Sequence, residues 1–157
     1  MDKLERSVIL LKPDGLQLGL LGQIVGRFER KGLKLVGLKL MRLTDDVLDS
    51  WYAHHKDKGF FKDLKEFMMS SPVVAMLWEG VEAIDTVRKI VGVTHGRLAE
   101  AGSIRGDFSM SQQLNLIHAS DGVDTAKKET DLIFKDDEIF EWESAADCLI
   151  YSKEELS

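Results

Sequence analysis

The sequence predicts an α+β fold in which helices pack on a four-stranded antiparallel sheet, the split βαβ or ferredoxin-like plan. Two observations predict it. Four short apolar runs have the length and composition of strands, and the segments between them place apolar residues at helical spacing. With 157 residues, 44% apolar and 31% charged, the chain is long enough to bury a real core. Residues 1–157 are therefore predicted to form a single domain, without internal repeats or an interdomain linker.

The first two predicted strands flank a helix. Residues 7–11 contain the apolar run Val-Ile-Leu-Leu, which ends at a strong turn signal, Lys-Pro-Asp-Gly, at 12–15. The apolar positions of 20–31 fall on one helical face, and Gly32 is a natural helix end. Residues 33–43 mix alternation with apolar pairs and predict the second strand.

Helices and two further strands follow. A helix capped at 44–46 is predicted to run to Tyr52, and it is followed by a helix over 60–69 and a strand over 73–78. The next predicted helix includes Val81, Ile84, Val87 and Val91. The last two predicted elements are a strand through Leu114, Leu116 and Ile117 that ends at His118, and a helix through Ala126, Glu129, Leu132 and Ile133. The strand at 73–78 is the clearest candidate for a central position in the sheet.

Two segments lack clear periodicity. Residues 92–113 contain four glycines, which predicts a long ordered loop of the kind that often carries function. The acidic tail over 135–157 includes Phe140, Trp142 and Tyr151, and we expect it to pack against the domain.

Composition narrows the function classes. The formal charge of -6 argues against general binding to nucleic acid or to an anionic membrane, because both favour a basic surface. Cys148 is the only cysteine, so no internal disulfide can form, which fits a reducing compartment. Residues 1–6 lack the apolar run of a signal peptide, and no segment approaches the roughly 18 apolar residues of a membrane span. The expected location is the cytoplasm.

The most informative motif surrounds His118, in Asn115-Leu-Ile-His118-Ala-Ser120-Asp121. A histidine at the end of a buried strand has a rigid base and open access on one side, and a polar turn can supply a partner for its ring. These are the needs of a nucleophilic histidine, which can accept and pass on a group near neutral pH. Taken alone, the motif favours an ordinary surface histidine at a strand end, and only the rest of the chain changes that weighting.

Phosphate-binding loops of known pattern are absent. The chain contains no G-x-x-x-x-G-K-[ST] loop and no G-x-G-x-x-G fingerprint. Any phosphate site must therefore use separate side chains. The candidates are Lys12 after the first strand, Arg88 on the helix after 73–78, and Arg105 in the glycine-containing loop.

Seven blocks in this order and spacing resemble the nucleoside diphosphate kinase family over almost the whole chain. They are Leu11-Lys-Pro-Asp-Gly15, Arg27-Phe-Glu-Arg-Lys-Gly32, Lys34-Leu-Val-Gly-Leu-Lys39, Phe60-Phe61, Ser71-Pro-Val-Val-Ala-Met76 with Trp78-Glu-Gly80, Ile104-Arg-Gly-Asp-Phe108, and Asn115-x-x-His118-x-Ser120-Asp121. Each block alone is weak, but the set is very specific.

The resemblance implies a ping-pong reaction that maintains nucleoside triphosphate pools. The γ-phosphoryl group of a triphosphate would pass to His118 and then to a second nucleoside diphosphate. Positioned cations would stabilise the charge of the transition state.

The same resemblance implies a role for each matching residue. Lys12 would contact the transferred phosphate and the ribose, Tyr52 would lie beside the nucleophile, and Phe60 would stack on the base. The outer phosphates would be held by Arg88, Thr94 and Arg105, and the sugar would be hydrogen-bonded by Asn115. Glu129 would orient the His118 ring, and Ser120 would support Glu129. Mg²⁺ would arrive with the nucleotide and be held mainly by phosphates, with Asp121 as a candidate water-mediated partner.

Six positions depart from the family pattern. They are His54, Gly59, Ala101, Gln112, Ala119 and Gly122. The first two could loosen the base-binding helix pair, and Gln112 puts the stacking geometry in doubt. Ala119 is tolerated only if the backbone there does not need a positive φ. None of the six is His118, Glu129 or one of the candidate cations.

Three other functions compete with a phosphotransferase. One is a regulatory protein of the same fold that binds nucleotide but turns over poorly. Another is a phosphatase with a histidine intermediate, although the Arg-His-Gly order of that class is missing. A metal enzyme is disfavoured because the adjacent His54 and His55 would point in different directions on a helix.

Assembly is also implied by the resemblance. We expect a homo-oligomer, with a hexamer favoured and a tetramer as the alternative.

Overall fold

A computed structural model describes residues 4–156 and contains one four-stranded sheet with the order β2-β3-β1-β4. All three neighbouring pairs are antiparallel. The strands are β1 (Leu4–Leu11), β2 (Lys34–Met41), β3 (Val73–Val81) and β4 (Ile117–Ala119). The predicted ferredoxin-like plan is confirmed, and β3 has the interior position expected for residues 73–78.

Helices connect the strands and cover the sheet. The α-helices are α1 (Pro13–Gln17), α2 (Leu21–Lys31), α3 (Asp45–Trp51), α4 (Phe61–Met69), α5 (Ala83–Val91), α6 (Ile104–Phe108), α7 (Val123–Ile133) and α8 (Asp147–Ile150). Short 3₁₀ turns occupy Ala53–His55, Gly96–Leu98 and Asp136–Glu138. The predicted helices are present, although Val81 ends β3 instead of opening α5.

Three short helices were not expected. The Lys-Pro-Asp-Gly segment is the start of α1 rather than a simple turn, because Pro13 at the first helical position pre-sets a helical φ and lacks only an N–H that no helix would bond. Helix α6 interrupts the long loop, with Ser103 accepting a hydrogen bond from the Gly106 amide as its N-cap. Helix α8 lies in the tail.

The core lies on both faces of the sheet, since β1 and β3 are buried on both sides. Along β1 alternate residues face opposite ways, so Ile9 packs with Phe28 and Trp78 on one face, while Leu10 packs with Leu77 on the other. The Phe28 and Trp78 rings are 5.4 Å apart and tilted, a favourable aromatic arrangement. This two-sided core makes β1 and β3 the rigid base on which the site is built.

The strand predicted to end at His118 was placed wrongly. Strand β4 begins at Ile117, and His118 is its middle residue, paired with Leu10. Leu114 is exposed, and Leu116 has a positive φ of 74° that no strand residue adopts. The apolar letters suggested a strand, but a tight turn at Leu116 separates Asn115 from β4.

Hydrogen bonds attach the tail to the sheet at several points. The amide of Phe140 donates to Val36 O at 2.8 Å, and the Trp142 indole donates to Leu35 O at 2.9 Å. The Val81 amide donates to the hydroxyl of Tyr151. The tail therefore contacts the domain as expected, although Phe140 remains 63% and Trp142 48% exposed.

Across residues 4–156, no helix combines the length and the apolar character needed to cross a membrane.

Candidate active site

A cavity of about 430 Å³ opens where β1 ends and β4 passes beside α7. Nine of the eleven residues predicted for the site line it. They are Lys12, Tyr52, Arg88, Thr94, Arg105, Asn115, His118, Asp121 and Glu129. Residues from almost every part of the chain therefore meet at one place.

The other two predicted residues lie one step away from the lining. Ser120 is fully buried behind Glu129. Phe60 is 47% exposed and contacts His55, which does line the cavity, with ring centroids 5.4 Å apart. Phe60 is thus an exposed aromatic face beside the cavity mouth rather than part of its wall.

A chain of hydrogen bonds fixes the His118 ring. Its Nε2 lies 2.8 Å from Glu129 Oε1, and Ser120 donates to the other carboxylate oxygen at 2.5 Å. Ser120 in turn accepts from the Val8 amide at 2.9 Å, which ties the group to the buried strand β1. Glu129 reaches His118 because α7 packs across β1, next to β4.

This arrangement selects one tautomer of the neutral ring. A carboxylate accepts hydrogen bonds only, so the proton of neutral His118 lies on Nε2. The lone pair is then on Nδ1. The His118 side chain is 23% exposed, so that nitrogen belongs to a ring that solvent and ligand can reach.

Two aromatic residues flank the histidine. The Trp51 ring meets His118 edge-on with a centroid distance of 5.0 Å. Burial, with the Glu129 charge nearby, raises the pKa of Tyr52 to about 12, so its phenol stays protonated and can donate. Sequence reasoning named Tyr52 but missed Trp51. Its adjacency to Tyr52 at the end of α3 was the available signal.

Lys12 is a buried cation. Only 8% of the residue is exposed, and Nζ donates to Asn115 Oδ1 at 2.6 Å. Burial lowers the pKa of Lys12 to about 8, with Asp14 opposing the shift and Arg105 adding to it. The lysine is therefore charged at neutral pH but close to losing its proton.

Arg105 organises the loop as well as lining the cavity. It donates to three backbone oxygens, those of Asn115 at 3.2 Å, Gly92 at 3.0 Å and Ile117 at 2.5 Å. Burial and the neighbouring Arg88 lower its pKa to about 10, so it remains a cation at neutral pH. Two of its five N–H donors stay available for an anion.

Arg88 differs from Arg105 in its environment. It is an exposed residue in the last turn of α5, and no side chain or carbonyl within residues 4–156 hydrogen-bonds or ion-pairs with its guanidinium. A cation with this freedom can turn toward a ligand without breaking a protein contact.

Asn115 is fully engaged through its amide. Its Nδ2 donates to Thr94 O at 3.1 Å and to Gln112 O at 2.9 Å, while Oδ1 accepts from Lys12. One lone pair on Oδ1 remains, so the side chain can still accept a hydroxyl proton. Thr94 is exposed and is one of the residues that line the cavity.

The cavity has no ready-made metal cage. Within the part of the chain that the structure describes, no group of three or more His, Cys, Asp and Glu residues could hold a metal ion. Asp121 is a single exposed carboxylate in the lining.

Three of the six departures from the family pattern have an identifiable place in the structure. Ala119 pairs with Ile9 in β4, and it is not among the residues with positive φ. Gly122 is the N-cap of α7 with no side-chain cap, so the missing hydroxyl costs a capping bond. The Gln112 carbonyl accepts from Asn115, which gives this position a role in the loop.

The model of the family described as "Nucleoside diphosphate kinase" matches residues 5–139. The chain belongs to the nucleoside diphosphate kinase family. It is 49% identical to the nucleoside diphosphate kinase of Parabacteroides distasonis over 98% of this chain and 100% of that protein. It is 51% identical to that of Staphylothermus marinus over 88% of this chain and 98% of the relative.

Solved structures agree with this assignment. A halophilic nucleoside diphosphate kinase from Halobacterium salinarum in complex with CDP superposes with a TM-score of 0.91 at 45% identity, covering 94% of this chain and 99% of that one. As a member of this family, the chain is a phosphotransferase that moves a phosphoryl group between nucleotides. The family assignment favours a phosphotransferase over the phosphatase and the metal enzyme. A poorly active nucleotide-binding protein of the same fold is distinguished by the phosphoenzyme assay described under the proposed function.

Proposed function

We propose that His118 is the nucleophile and carries the phosphoryl group on Nδ1 in a two-step, ping-pong reaction. The observation that supports this most directly is the 2.8 Å contact between His118 Nε2 and Glu129 Oε1, which leaves the lone pair on Nδ1.

In the first step the lone pair forms a P–N bond, the bond from the γ-phosphorus to its bridging oxygen breaks, and the nucleoside diphosphate leaves with that electron pair. A terminal oxygen of a second diphosphate then attacks the phosphorus, and the P–N electron pair returns to Nδ1.

Glu129 supports both steps by electrostatics. The ring becomes more positive as the P–N bond forms, and the buried carboxylate lies where it can stabilise that charge. The Ser120 hydroxyl, donating to Glu129 at 2.5 Å, holds the carboxylate in place.

Three cations would receive the phosphates. Lys12 and Arg105 are held in fixed positions by their contacts with the loop, whereas Arg88 is free to adjust. Fixed positive charge stabilises the oxygens of a transferring phosphoryl group without reorganisation at the moment of reaction. Thr94 and the neutral phenol of Tyr52 add hydrogen-bond donors at the same cavity.

The nucleoside would lie toward the cavity mouth. Phe60 offers an exposed ring on which any base can stack, because every base has a π-face. Asn115, with one lone pair left on Oδ1, can accept a proton from a sugar hydroxyl. Nucleoside di- and triphosphates are therefore the proposed substrates.

Mg²⁺ is the proposed cofactor. A lone carboxylate, Asp121, in a cavity lined by cations suits an ion that enters with the polyphosphate and keeps most of its waters. Asp121 would hold it through a water molecule, and the bound ion would neutralise phosphate charge.

The decisive experiment is labelling with γ-labelled ATP and Mg²⁺. The wild-type chain should take up an acid-labile, base-stable label. A His118→Ala variant should take up none, whereas His95→Ala, which removes a histidine outside the cavity lining, should label normally. Label on the His118→Ala variant would defeat the assignment.

We also propose a homo-oligomer, with a hexamer favoured over a tetramer. Strand β2 is at the sheet edge, and its Leu38 and Leu40 are 52% and 65% exposed. An exposed apolar edge strand is a pairing surface that proteins usually cover. Light scattering at several concentrations measures the assembly, and a monomer at all of them would contradict it.

A cytoplasmic location is proposed as well. Cys148 is a free, exposed thiol, and such a thiol persists in a reducing compartment. Fractionation of cells that produce the protein tests this, and recovery only outside the cytoplasm would contradict it.

A further inference from the structure

The turn that joins Asn115 to β4 is strained. The Ile117 amide donates to Asn115 O at 2.9 Å, which closes a three-residue γ-turn around Leu116. Leu116 has a φ of 74°, a backbone conformation that residues with a Cβ atom rarely adopt. Strain of this kind persists only where the surroundings hold it, and it concentrates at functional sites.

Helix α1 and the residue before it hold this turn from both sides. Asp14 Oδ2 accepts from the Leu116 amide at 2.9 Å, and the Lys12 amide donates to Leu116 O at 2.8 Å. A Cβ at Gly15 would lie 2.9 Å from the same Leu116 oxygen, so the backbones approach closely. Leu116 itself is 1% exposed.

The turn sets the spacing between two parts of the active site. Asn115, on one side, accepts from the Lys12 ammonium at 2.6 Å. Ile117, on the other, accepts from Arg105 and is followed by His118. A shift of the turn would move Lys12 relative to the nucleophile.

Asp14 has a second feature that the turn does not explain. Its Oδ1 is buried without a hydrogen-bond partner in the structure. A buried, unpaired carboxylate oxygen is unfavourable for folding, and one that a protein keeps calls for an explanation, such as a role in catalysis. The charge acts on Lys12 and Arg105, since it opposes the lowering of both pKa values by burial.

Other groups around the Lys12 ammonium do not supply this charge. Helix α4 presents the Phe67 ring, 6.0 Å from Nζ, and the loop presents the neutral oxygens of Gln113 and Asn115. Arg105 on α6 is positive and makes the protonated lysine less favourable.

We propose that Asp14 is a positioning residue for phosphoryl transfer, which clamps the strained Leu116 turn and keeps negative charge beside Lys12 and Arg105. The proposal rests on the proposed roles of Lys12 and His118.

Two substitutions distinguish the hydrogen bond by which Asp14 holds the Leu116 turn from the effect of its negative charge. Asp14→Asn keeps an acceptor for the Leu116 amide but removes the charge. Lys12 should then lose its proton more easily, and the alkaline limb of kcat/KM should move about 1 pH unit lower. Asp14→Glu keeps the charge but adds a methylene, so the limb should stay while kcat falls by about 10- to 100-fold through misplacement of the turn.

The matched control is Glu5→Gln. Glu5 also accepts one backbone amide, that of Ile84 at 3.0 Å, but outside the cavity lining, so its loss should leave the pH profile unchanged. Thermal unfolding of all variants is followed by circular dichroism.

An Asp14→Asn profile that matches wild type, or one lowered equally at every pH, would overturn the proposal. So would an Asp14→Asn chain that does not fold, because the charge would then serve the fold and not the site. A wild type that forms no phosphohistidine would overturn the proposed site roles, and this proposal with them.

Discussion

Replacing Glu129 by Gln tests the proposed tautomer of His118. The substitution keeps the shape of a side chain that is 7% exposed but removes its charge. The carboxylate accepts from His118 at 2.8 Å and from Ser120 at 2.5 Å. A glutamine has one oxygen for these two donors, so its amide nitrogen must face one of them. If it faces the ring, the lone pair lies on Nε2 and Nδ1 is no longer nucleophilic.

The magnitude follows from the hydrogen bond that is lost. A hydrogen bond to a charged group contributes about 1.5–3 kcal/mol. If its removal destabilises the transition state, in which the ring is more positive, by that much more than the ground state, kcat should fall by about 10- to 150-fold, at about 1.4 kcal/mol per tenfold. The assay is the single-turnover rate of phosphoenzyme formation together with steady-state kcat.

The matched control is Glu79→Gln. Glu79 is equally buried and paired with Arg6 and Lys34, both at 2.7 Å, but it lies outside the cavity lining. Its loss should lower stability and leave phosphoenzyme formation unchanged. If Glu129→Gln formed phosphoenzyme within about twofold of the wild-type rate, the charge of Glu129 would not be what activates the ring.

Three further predictions concern the cation, the base and the fold. Because the pKa of Lys12 is lowered to about 8 and only the charged lysine holds phosphate, kcat/KM should fall as pH rises through about 8; a flat profile from about pH 7 to about pH 9.5 would contradict this. Phe60→Ala should raise KM for nucleotides by about 5- to 150-fold with little change in kcat, since base stacking is worth about 1–3 kcal/mol; an unchanged KM would remove Phe60 from the base site. Gly32→Ala should lower the free energy of unfolding by more than about 1 kcal/mol in urea, because Gly32 has φ of 99° and a Cβ there would lie 2.9 Å from Ile150 Cγ2. Gly22→Ala, in an open helical position, should not destabilise.

Local signals predicted most of the elements correctly. Helix α2 ends at Gly32 in the left-handed conformation that only glycine adopts without strain, and Thr44 caps α3 by accepting from the Val47 amide. Such features depend on residues that are neighbours in the sequence, so the amino-acid sequence is sufficient to predict them.

The region before His118 was predicted less well, because distant contacts decide its conformation. The apolar letters of Leu114 and Leu116 suggested a strand. Asp14, 102 residues away, holds Leu116 in a turn instead.

In the site, too, some features could be predicted from the sequence and others depend on distant contacts. Resemblance to the family named the eleven residues, and nine of them line one cavity. It did not indicate that Lys12 is buried against Asn115, 103 residues away, or that Trp51 meets the His118 ring. These contacts arise where β1, β4, α3 and α7 pack together.

The amino-acid sequence by itself determined the fold plan, the family and the chemical types gathered for phosphoryl transfer. Periodicity, turn residues and motif spacing can all be identified from the order of residues in the chain. Only the tertiary structure decided which nitrogen of His118 is free, how far burial lowers the pKa of Lys12, and where the backbone is strained. Those properties depend on distance, burial and charge across elements far apart in sequence, and the order of residues does not state them.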